Sequence, residues 1–258
     1  MARFESSAPV VQVGTKSVPS AALSPDALRG RLTEGSAALG LALTPQQYDA
    51  LLAYLALLQR WNQVYNLTAV RDPADMLTHH LLDSLAVVAP LRNRLAGIAY
   101  AMDGVDTFAG SDTSFNSAGP QFRLLDVGSG AGLPGAVIAI CCPEIQVDCV
   151  DTVAKKTAFI NQVAVALKLP NLRGVHARVE KLTGRFDVVS SRAFASLVDF
   201  VLGSSQLLDE RGIWLAMKGK TPQDELAALP PGVQVFHVEQ LAVPGLDAER
   251  CIVWMRKV

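Results

Sequence analysis

The segment of residues 124–135, with the sequence LLDVGSGAGLPG, constrains the fold more than any other part of this chain. An apolar run leads into glycines at positions 128, 130 and 132, and a second apolar run follows them. Glycine adopts positive φ angles at little cost and lets a ligand approach the main chain closely. The pattern therefore predicts a buried strand, a tight turn and a helix whose N-terminus offers free N–H groups.

Strand-like and helix-like segments alternate after residue 121, which indicates an α/β fold. The predicted strands cover residues 123–127, 145–150, 172–176, 186–190 and 212–217, with helices at 133–142 and 155–168. Residues 233–238 and 251–255 are predicted to form a terminal antiparallel pair. Repeated βα units imply a mostly parallel sheet whose strands all end at one edge, where such sheets bind ligands.

The region before the sheet has the pattern of helices. Thr44, Pro45 and Gln47 form a capping-box start, and a second helix is predicted to begin at Asp72-Pro73. We expect a flexible tail at residues 1–24, a helical region packed on the core at 25–95, a loop or insert at 96–121, and the sheet domain at 122–258.

Composition excludes several classes of protein. Half of the 258 residues are hydrophobic and 18% are charged, so global disorder is excluded. The net charge of −1 argues against a strongly basic protein that wraps around bare nucleic acid. No apolar run approaches the roughly 18 residues that a membrane span needs, and no secretion signal is visible. The four cysteines show no metal-ligand spacing, so we expect no metal and a reducing, cytoplasmic location.

The glycine segment fits two cofactor classes. The spacing Gly128-x-Gly130-x-Gly132 is typical of S-adenosylmethionine binding, whereas Gly130-x-Gly132-x-x-Gly135 formally satisfies a dinucleotide fingerprint. Gly128 already closes the strand, and Pro134 lies where a pyrophosphate needs free N–H groups, which favours S-adenosylmethionine. Asp151, at the end of the second strand, is placed to accept hydrogen bonds from ribose hydroxyls in either class, or to cap the next helix.

Further motifs occur in a fixed order around this segment: WNQVYNLTAVRDPADMLTHHLLDSL before it, then VDTVAKK, ARVE, FDVVSSRAFASL, MKGK and GLDAER. From about residue 28 to 258 the chain resembles the bacterial ribosomal RNA small subunit methyltransferase G family, also called glucose-inhibited division protein B. The resemblance implies a class I S-adenosylmethionine-dependent methyltransferase: a Rossmann-like, mostly parallel sheet with an antiparallel last strand and an N-terminal helical region. It also implies methyl transfer to N7 of a guanine, guanine 527 in the family, in 16S rRNA.

The resemblance places family cofactor contacts on Gly128, Leu133, Val179, Glu180 and Arg192, and the motif itself adds Gly130 and Asp151. Guanine N7 carries a lone pair and no proton, so no catalytic base is expected. Arg192 is expected to support the reaction by positioning, although a surface ion pair is an alternative role. The expected partner is 16S rRNA within the 30S subunit or its assembly intermediate. We expect the protein to be a monomer and not to bind a membrane.

Basic residues concentrate between positions 155 and 192. Eight cations against two acids give this stretch a local charge of +6; the cations are Lys155, Lys156, Lys168, Arg173, Arg178, Lys181, Arg185 and Arg192. With Arg60, Arg71, Lys218 and Lys220, they form either an RNA-facing rim or solvated helix and loop faces. Two other functions stay open at this point: an NAD(P)-dependent oxidoreductase, and a non-catalytic ribosome-binding protein of the same fold.

Overall fold

The computed structural model describes residues 24–103, 122–194 and 196–258, without the side chains of residues 99–103. The helices are α1 (Pro25–Ala38), α2 (Pro45–Tyr65), α3 (Pro73–Met76), α4 (Asp83–Leu85), α5 (Val88–Asp103), α6 (Gly135–Cys141), α7 (Ala154–Ala166), α8 (Leu197–Ser204) and α9 (Gln223–Ala227). A π-helical stretch, Leu77–Leu82, joins α3 to α4, and short 3₁₀ turns cover Val179–Lys181 and Ser205–Leu207. None of these helices is long and apolar enough to cross a membrane.

The described residues form one seven-stranded sheet with the order β3-β2-β1-β4-β5-β7-β6. The strands are β1 (Phe122–Val127), β2 (Ile145–Asp151), β3 (Leu172–His176), β4 (Phe186–Arg192), β5 (Leu208–Lys218), β6 (Val233–Leu241) and β7 (Arg250–Lys257). The first five strands pair in parallel, and β7 is antiparallel to both of its neighbours, β5 and β6. This confirms the mostly parallel sheet with an antiparallel last strand.

Both faces of the sheet are buried, which explains the continuous apolar runs of its central strands. Consecutive residues of one strand, such as Leu124 and Leu125 in β1, enter different hydrophobic clusters because side chains alternate across a strand. The larger cluster joins one sheet face to α1, α2, α5, α6 and α7, so the N-terminal helices and the sheet share one core. The smaller cluster lies under α8 on the other face.

The capping box at the start of α2 is present as predicted. The Thr44 hydroxyl accepts a hydrogen bond from Gln47 N at 3.2 Å, and Gln47 Oε1 accepts one from Thr44 N at 2.9 Å. The Gln47 amide also donates to the Cys141 carbonyl oxygen at 2.9 Å. The same side chain therefore starts α2 and fixes that end of the helix against the last turn of α6.

The second predicted helix begins at Asp72, whose side chain accepts hydrogen bonds from Ala74 N and Asp75 N. Its regular helical spacing is interrupted, because Leu77–Leu82 is π-helical. Five of the six residues of this stretch, including Thr78 and Leu82, are buried, and His79 is exposed. A π-helical insertion of this kind is often found at a functional site.

One predicted boundary differs from the structure. Residues 96–103 belong to α5 and not to a loop, because the alanines, Ile98 and Met102 favour a helix and outweigh the helix penalty of Gly97. The predicted flexible tail, apart from Ser24, and residues 104–121 of the predicted insert lie outside the described residues. Ser24 caps α1 by accepting a hydrogen bond from Ala27 N at 3.2 Å.

Candidate functional site

The glycine turn at the carboxyl end of β1 has the backbone that its sequence predicts. Gly128, Gly130 and Gly132 have φ angles of 68°, 59° and 83°, all in the left-handed region. Gly128 N and Ser129 N both donate to the Val150 carbonyl oxygen, at 2.9 and 3.2 Å. These bonds hold the turn against the end of β2, so β1 and β2 finish at one common edge.

The glycines serve two different purposes. A Cβ atom on Gly135 would lie 2.4 Å from Cys149 Sγ, and one on Gly132 would lie 3.2 Å from Ile160 Cγ1. These two glycines let the turn and α6 pack closely on the protein itself. Gly130 has no atom within 4 Å of its Cβ position, and Gly128 has only the Phe194 ring, at 3.7 Å. The first part of the turn therefore faces open space, as a ligand site requires.

A fully buried carboxylate fixes the base of the turn. Asp126 accepts hydrogen bonds from Ser190 Oγ at 2.9 Å and from Gly135 N at 3.1 Å. Burial raises the pKa of Asp126 to about 6, against the effect of these hydrogen bonds. The side chain is a structural support for the turn, since its oxygens face the protein interior.

Helix α2 supports the turn from the other side. The Tyr54 hydroxyl is completely buried and donates to the Ala131 carbonyl oxygen at 2.8 Å. Burial raises the pKa of Tyr54 well above its usual range, so the phenol stays a protonated donor. The N-terminal helical region therefore contributes directly to the geometry of the glycine turn.

Asp151, the last residue of β2, has its carboxylate at the edge of the turn. One oxygen accepts from Gly130 N at 3.0 Å and lies 3.3 Å from Lys156 Nζ, and the other accepts from Val153 N at 2.8 Å. Val153, and not Asp151, is the N-cap residue of α7. The chain holds this carboxylate in a fixed orientation at the mouth of a cleft.

That cleft has a volume of about 360 Å³ and follows the carboxyl ends of β1, β2 and β3. Its lining consists of Val127, Gly128, Val150, Asp151, Thr152, Val153, Lys156, Ala177, Arg178, Val179, Glu180 and Phe194. The lining combines open glycine backbone, one oriented carboxylate, the main chain of a 3₁₀ turn and several apolar side chains. This set fits the methionine, ribose and adenine parts of S-adenosylmethionine.

Of the seven predicted site residues, Gly128, Asp151, Val179 and Glu180 line one cleft. Gly130 adjoins it through its hydrogen bond to Asp151. The Leu133 side chain is buried in the larger hydrophobic cluster and is not part of the lining. Arg192 is also outside the lining, and its guanidinium points to the N-terminal helices. The roles of these seven residues toward a cofactor stay predictions.

Residues 47–99 and 109–253 match the family model described as rRNA small subunit methyltransferase G. The chain belongs to this family. A methyltransferase of this name from Paracidovorax citrulli is 64% identical over 231 residues, covering 90% of both chains. One from Albidiferax ferrireducens is also 64% identical, over 90% of this chain and 96% of the relative.

A solved structure of a SAM-dependent methyltransferase from Thiobacillus denitrificans, in complex with S-adenosyl-L-homocysteine, is also similar. It covers 54% of this chain and 86% of its own, with 14% identity and a TM-score of 0.43. Family membership decides between the three functions that the sequence left open. The protein is an S-adenosylmethionine-dependent methyltransferase of small-subunit rRNA.

In this methyltransferase, Arg192 is part of a buried charge cluster. Its guanidinium donates to Asp83 Oδ2 at 3.0 Å and to the His79 carbonyl oxygen at 3.1 Å. Asp83 Oδ1 accepts from Arg250 Nε at 2.8 Å. The Asp83 side chain is 4% exposed, and the two arginine side chains are 22% and 25% exposed. One carboxylate thus joins α4 to the end of β4 and the start of β7.

Sequence reasoning did not assign several of the residues that line the methyltransferase cleft to the site. Phe194 lies two residues after the end of β4, and its ring packs on Phe200 at a centroid distance of 5.7 Å. Its position after the carboxyl end of a parallel strand was the available signal. The cleft residues Thr152, Val153 and Arg178 follow strand ends in the same way.

The predicted basic rim is smaller than its sequence suggests. Lys168, Arg173 and Arg185 lie near the amino ends of β3 and β4, at the edge of the sheet opposite the methyltransferase cleft, so these three cations are not part of a rim around the cleft. Lys156 pairs with Asp151, and Lys218 Nζ lies 2.8 Å from Glu225. The alternation of strands and helices therefore places cations that are close in sequence at opposite edges of the sheet. Of the cations that remain near the cleft, some are neutralised by a neighbouring carboxylate.

Proposed function

We propose that this protein methylates N7 of a guanine, guanine 527 in the family, in the 16S rRNA of the 30S subunit or its assembly intermediate. We further propose that it acts as a monomer in the cytoplasm. The observation that carries the proposal is the cleft at the carboxyl ends of β1, β2 and β3, where an open glycine turn faces an oriented carboxylate.

Asp151 is the proposed acceptor for the ribose hydroxyls. Two main-chain N–H groups already orient its carboxylate, which lowers the entropy cost of accepting a further hydrogen bond. The Val179–Glu180 main chain, in a 3₁₀ turn without a side-chain cap, is the proposed contact for the adenine edge. Gly128 leaves room for the methionine portion, and Phe194 closes the same side of the cleft.

The chemistry requires little of the protein beyond positioning. Bound S-adenosylmethionine supplies an electrophilic methyl group on sulfur, and guanine N7 offers an unprotonated lone pair. No side chain needs to remove a proton, so the chain contributes by aligning the two reactants and excluding water. Arg192 is the proposed positioning residue, because Asp83 fixes it at the end of β4 next to the cleft edge.

His80 fits this base-free scheme. It is buried, and its Nε2 lies 2.9 Å from Thr68 Oγ1. Burial and the nearby Arg192 charge lower the pKa of His80 to about 4, so the ring stays neutral at physiological pH. His80 does not line the cleft and does not change its charge near neutral pH.

The test is single-turnover methylation of 30S subunits that lack the modification, with enzyme and cofactor saturating, followed by mapping of N7-methylguanine in the 16S rRNA. We expect one methyl group at guanine 527 and a rate nearly independent of pH from about 6 to 8.5, because no base titrates. Subunits that already carry the modification are the control and should accept no methyl group. Methylation at another atom, or a rate that rises about tenfold per pH unit, would contradict the proposal.

A further inference from the structure

A second cleft lies on the sheet face covered by α5, far from the cofactor site. It has a volume of about 350 Å³ and lies between α5, β5, β6 and β7. Its lining consists of Asn93, Arg94, Gly97, Ile98, Arg211, Ile213, Phe236 and Arg256. Arg211 is near the start of β5 and Arg256 near the end of the antiparallel β7, so the cleft opens toward the amino ends of the parallel strands.

Three arginines from distant parts of the chain converge here. The Arg94 guanidinium lies over the rings of Phe236 and Trp254, with distances of 5.4 and 5.5 Å to the ring centroids. The Arg256 guanidinium lies over Phe236 at 5.5 Å, and its Nε donates to Gln234 Oε1 at 2.8 Å. The aromatic rings fix the positions of two cations and keep their outer N–H groups free for a ligand.

Within the side chains that the structure describes, none of the three arginines forms an ion pair. The Glu239 carboxylate accepts from the indole of Trp254 at 3.0 Å, and Asp209 Oδ1 lies 3.4 Å from the main-chain nitrogen of Arg211. The chain as a whole has a net charge of −1, so three cations around one cleft are not a general property of its surface. Their mutual repulsion is relieved when an anion binds between them.

We propose that this cleft binds phosphate groups and that the phosphodiester backbone of the substrate rRNA is their source. The guanidinium fork matches phosphate oxygens in geometry and charge. Arg211 and Arg256 are exposed, so the site is open enough for a continuous polymer to pass through it. Because Phe236 is already covered by guanidiniums, the site reads backbone charge and not base identity.

The RNA source of the phosphate rests on the proposed function, whereas phosphate binding itself does not. Contact at the amino ends of the strands lies at the opposite end of the sheet from the cofactor cleft. Such a contact anchors the ribosomal substrate without touching the reacting atoms. It therefore strengthens binding of the subunit and leaves the rate of methyl transfer in the bound complex unchanged.

The first experiment uses Arg211→Glu, because the Arg211 side chain makes no described hydrogen bond whose loss would unfold the protein. The matched control is Lys168→Glu, which reverses an exposed charge beside β3, at the other lateral edge of the sheet. Affinity for unmodified 30S subunits is measured at several salt concentrations. We expect Arg211→Glu to weaken binding about tenfold or more and to lower the log–log salt slope by roughly 0.7–0.9 per lost phosphate contact.

In the same experiment, the Kd for S-adenosylmethionine and the single-turnover rate at saturating enzyme should equal those of the wild type, and Lys168→Glu should change nothing. The second experiment titrates the free enzyme with pyrophosphate and follows Tm. The wild type should be stabilised, and both Arg211→Glu and Arg256→Gln should lose that stabilisation.

The outcomes separate the possible sources. Loss of pyrophosphate binding with unchanged affinity for 30S subunits assigns the cleft to free phosphate compounds and overturns the RNA source. If pyrophosphate does not stabilise the wild type and Arg211→Glu binds subunits normally, there is no phosphate site. The pyrophosphate result is independent of methylation, so failure of the proposed function leaves this test intact.

Discussion

Gly128 and Gly40 have nearly the same φ angle, 68° and 69°, but only Gly128 of the two borders the cofactor cleft. A valine at either position carries the same strain, of about 1–2 kcal/mol, because a β-branched side chain disfavours the left-handed region. The pair therefore separates the effect of backbone strain from the effect of occupied ligand space.

We expect Gly128→Val to remove detectable S-adenosylmethionine binding in calorimetry while the protein still unfolds cooperatively. Gly40→Val should lose a similar amount of stability and keep the wild-type Kd, since nothing lies within 4 Å of its Cβ position. Wild-type affinity in a folded Gly128→Val protein would show that the cofactor does not use this turn.

Two buried titratable residues, His80 and Asp126, have opposite effects on the way the stability of the protein changes with pH. Between pH 4 and 6.5 the unfolded state protonates His80 more readily than the folded state, so His80 makes stability rise with pH. Between pH 3.8 and 6 the folded state keeps the proton of Asp126 longer than the unfolded state, so Asp126 makes stability fall with pH. In the wild type the two contributions largely cancel.

Removing one residue exposes the contribution of the other. Relative to the wild type, we expect the stability of His80→Gln to fall as pH rises from 4 to 6, and that of Asp126→Asn to rise, by up to about 1.4 kcal/mol per pH unit. Urea unfolding at pH 4, 5, 6 and 7 measures both slopes. A constant offset from the wild type in both variants would mean that neither residue titrates as inferred.

At the scale of elements, α2 connects the N-terminal helices to the glycine turn through one hydroxyl. Tyr54→Phe should leave the buried Ala131 carbonyl oxygen unpaired, cost about 1–3 kcal/mol and weaken S-adenosylmethionine binding by loosening the turn. Tyr48→Phe is the control in the same helix, because its hydroxyl contacts Ser36 Oγ at 2.7 Å and not the turn. Its Kd for the cofactor should be unchanged in calorimetry, and equal losses of affinity in both variants would exclude a specific path through Tyr54.

Elements with strong local signals were predictable from the sequence. The capping box of α2 and the turn at Gly128 depend on neighbouring residues, and both are present. The short helices α8 and α9 were missed because they lack a long apolar period. The π-helical stretch was missed because five of its six residues are buried, so no periodicity in the sequence distinguishes it from an ordinary helix.

The residues of the site were also predictable only where the signal was local. Asp151, next to a strand end, was placed near the cleft by the α/β topology, whereas Val179 and Glu180 were placed there by the family resemblance. Contacts between distant residues were not predictable: the bond from Tyr54 to Ala131 spans 77 positions, and the one from Arg250 to Asp83 spans 167. Only the packing of helices on the sheet brings such pairs together.

For the whole molecule, Asp83 is the charge that ties the helical region to both β4 and β7. Asp83→Asn leaves two arginines without their counter-charge, and since these are about one-quarter exposed we expect a loss of about 2–3 kcal/mol. Asp49→Asn, which breaks an exposed pair with Arg29, should cost under about 0.5 kcal/mol. Urea unfolding should show one transition in each case, because helices and sheet share a core; equal losses, or two transitions, would contradict this picture.

The position of β7 has a consequence for the order in which the chain is synthesised. Among the described residues, β6 pairs with β7 alone, and β7 also completes the edge of β5, although β7 follows both strands in the chain and is therefore synthesised after them. Until residues 250–257 emerge, Arg250 cannot reach Asp83, and β6 has no partner in the sheet. Part of the apolar surface of the N-terminal helices therefore stays uncovered during most of translation. We expect chaperones and proteases to recognise a nascent chain that stalls before residue 250.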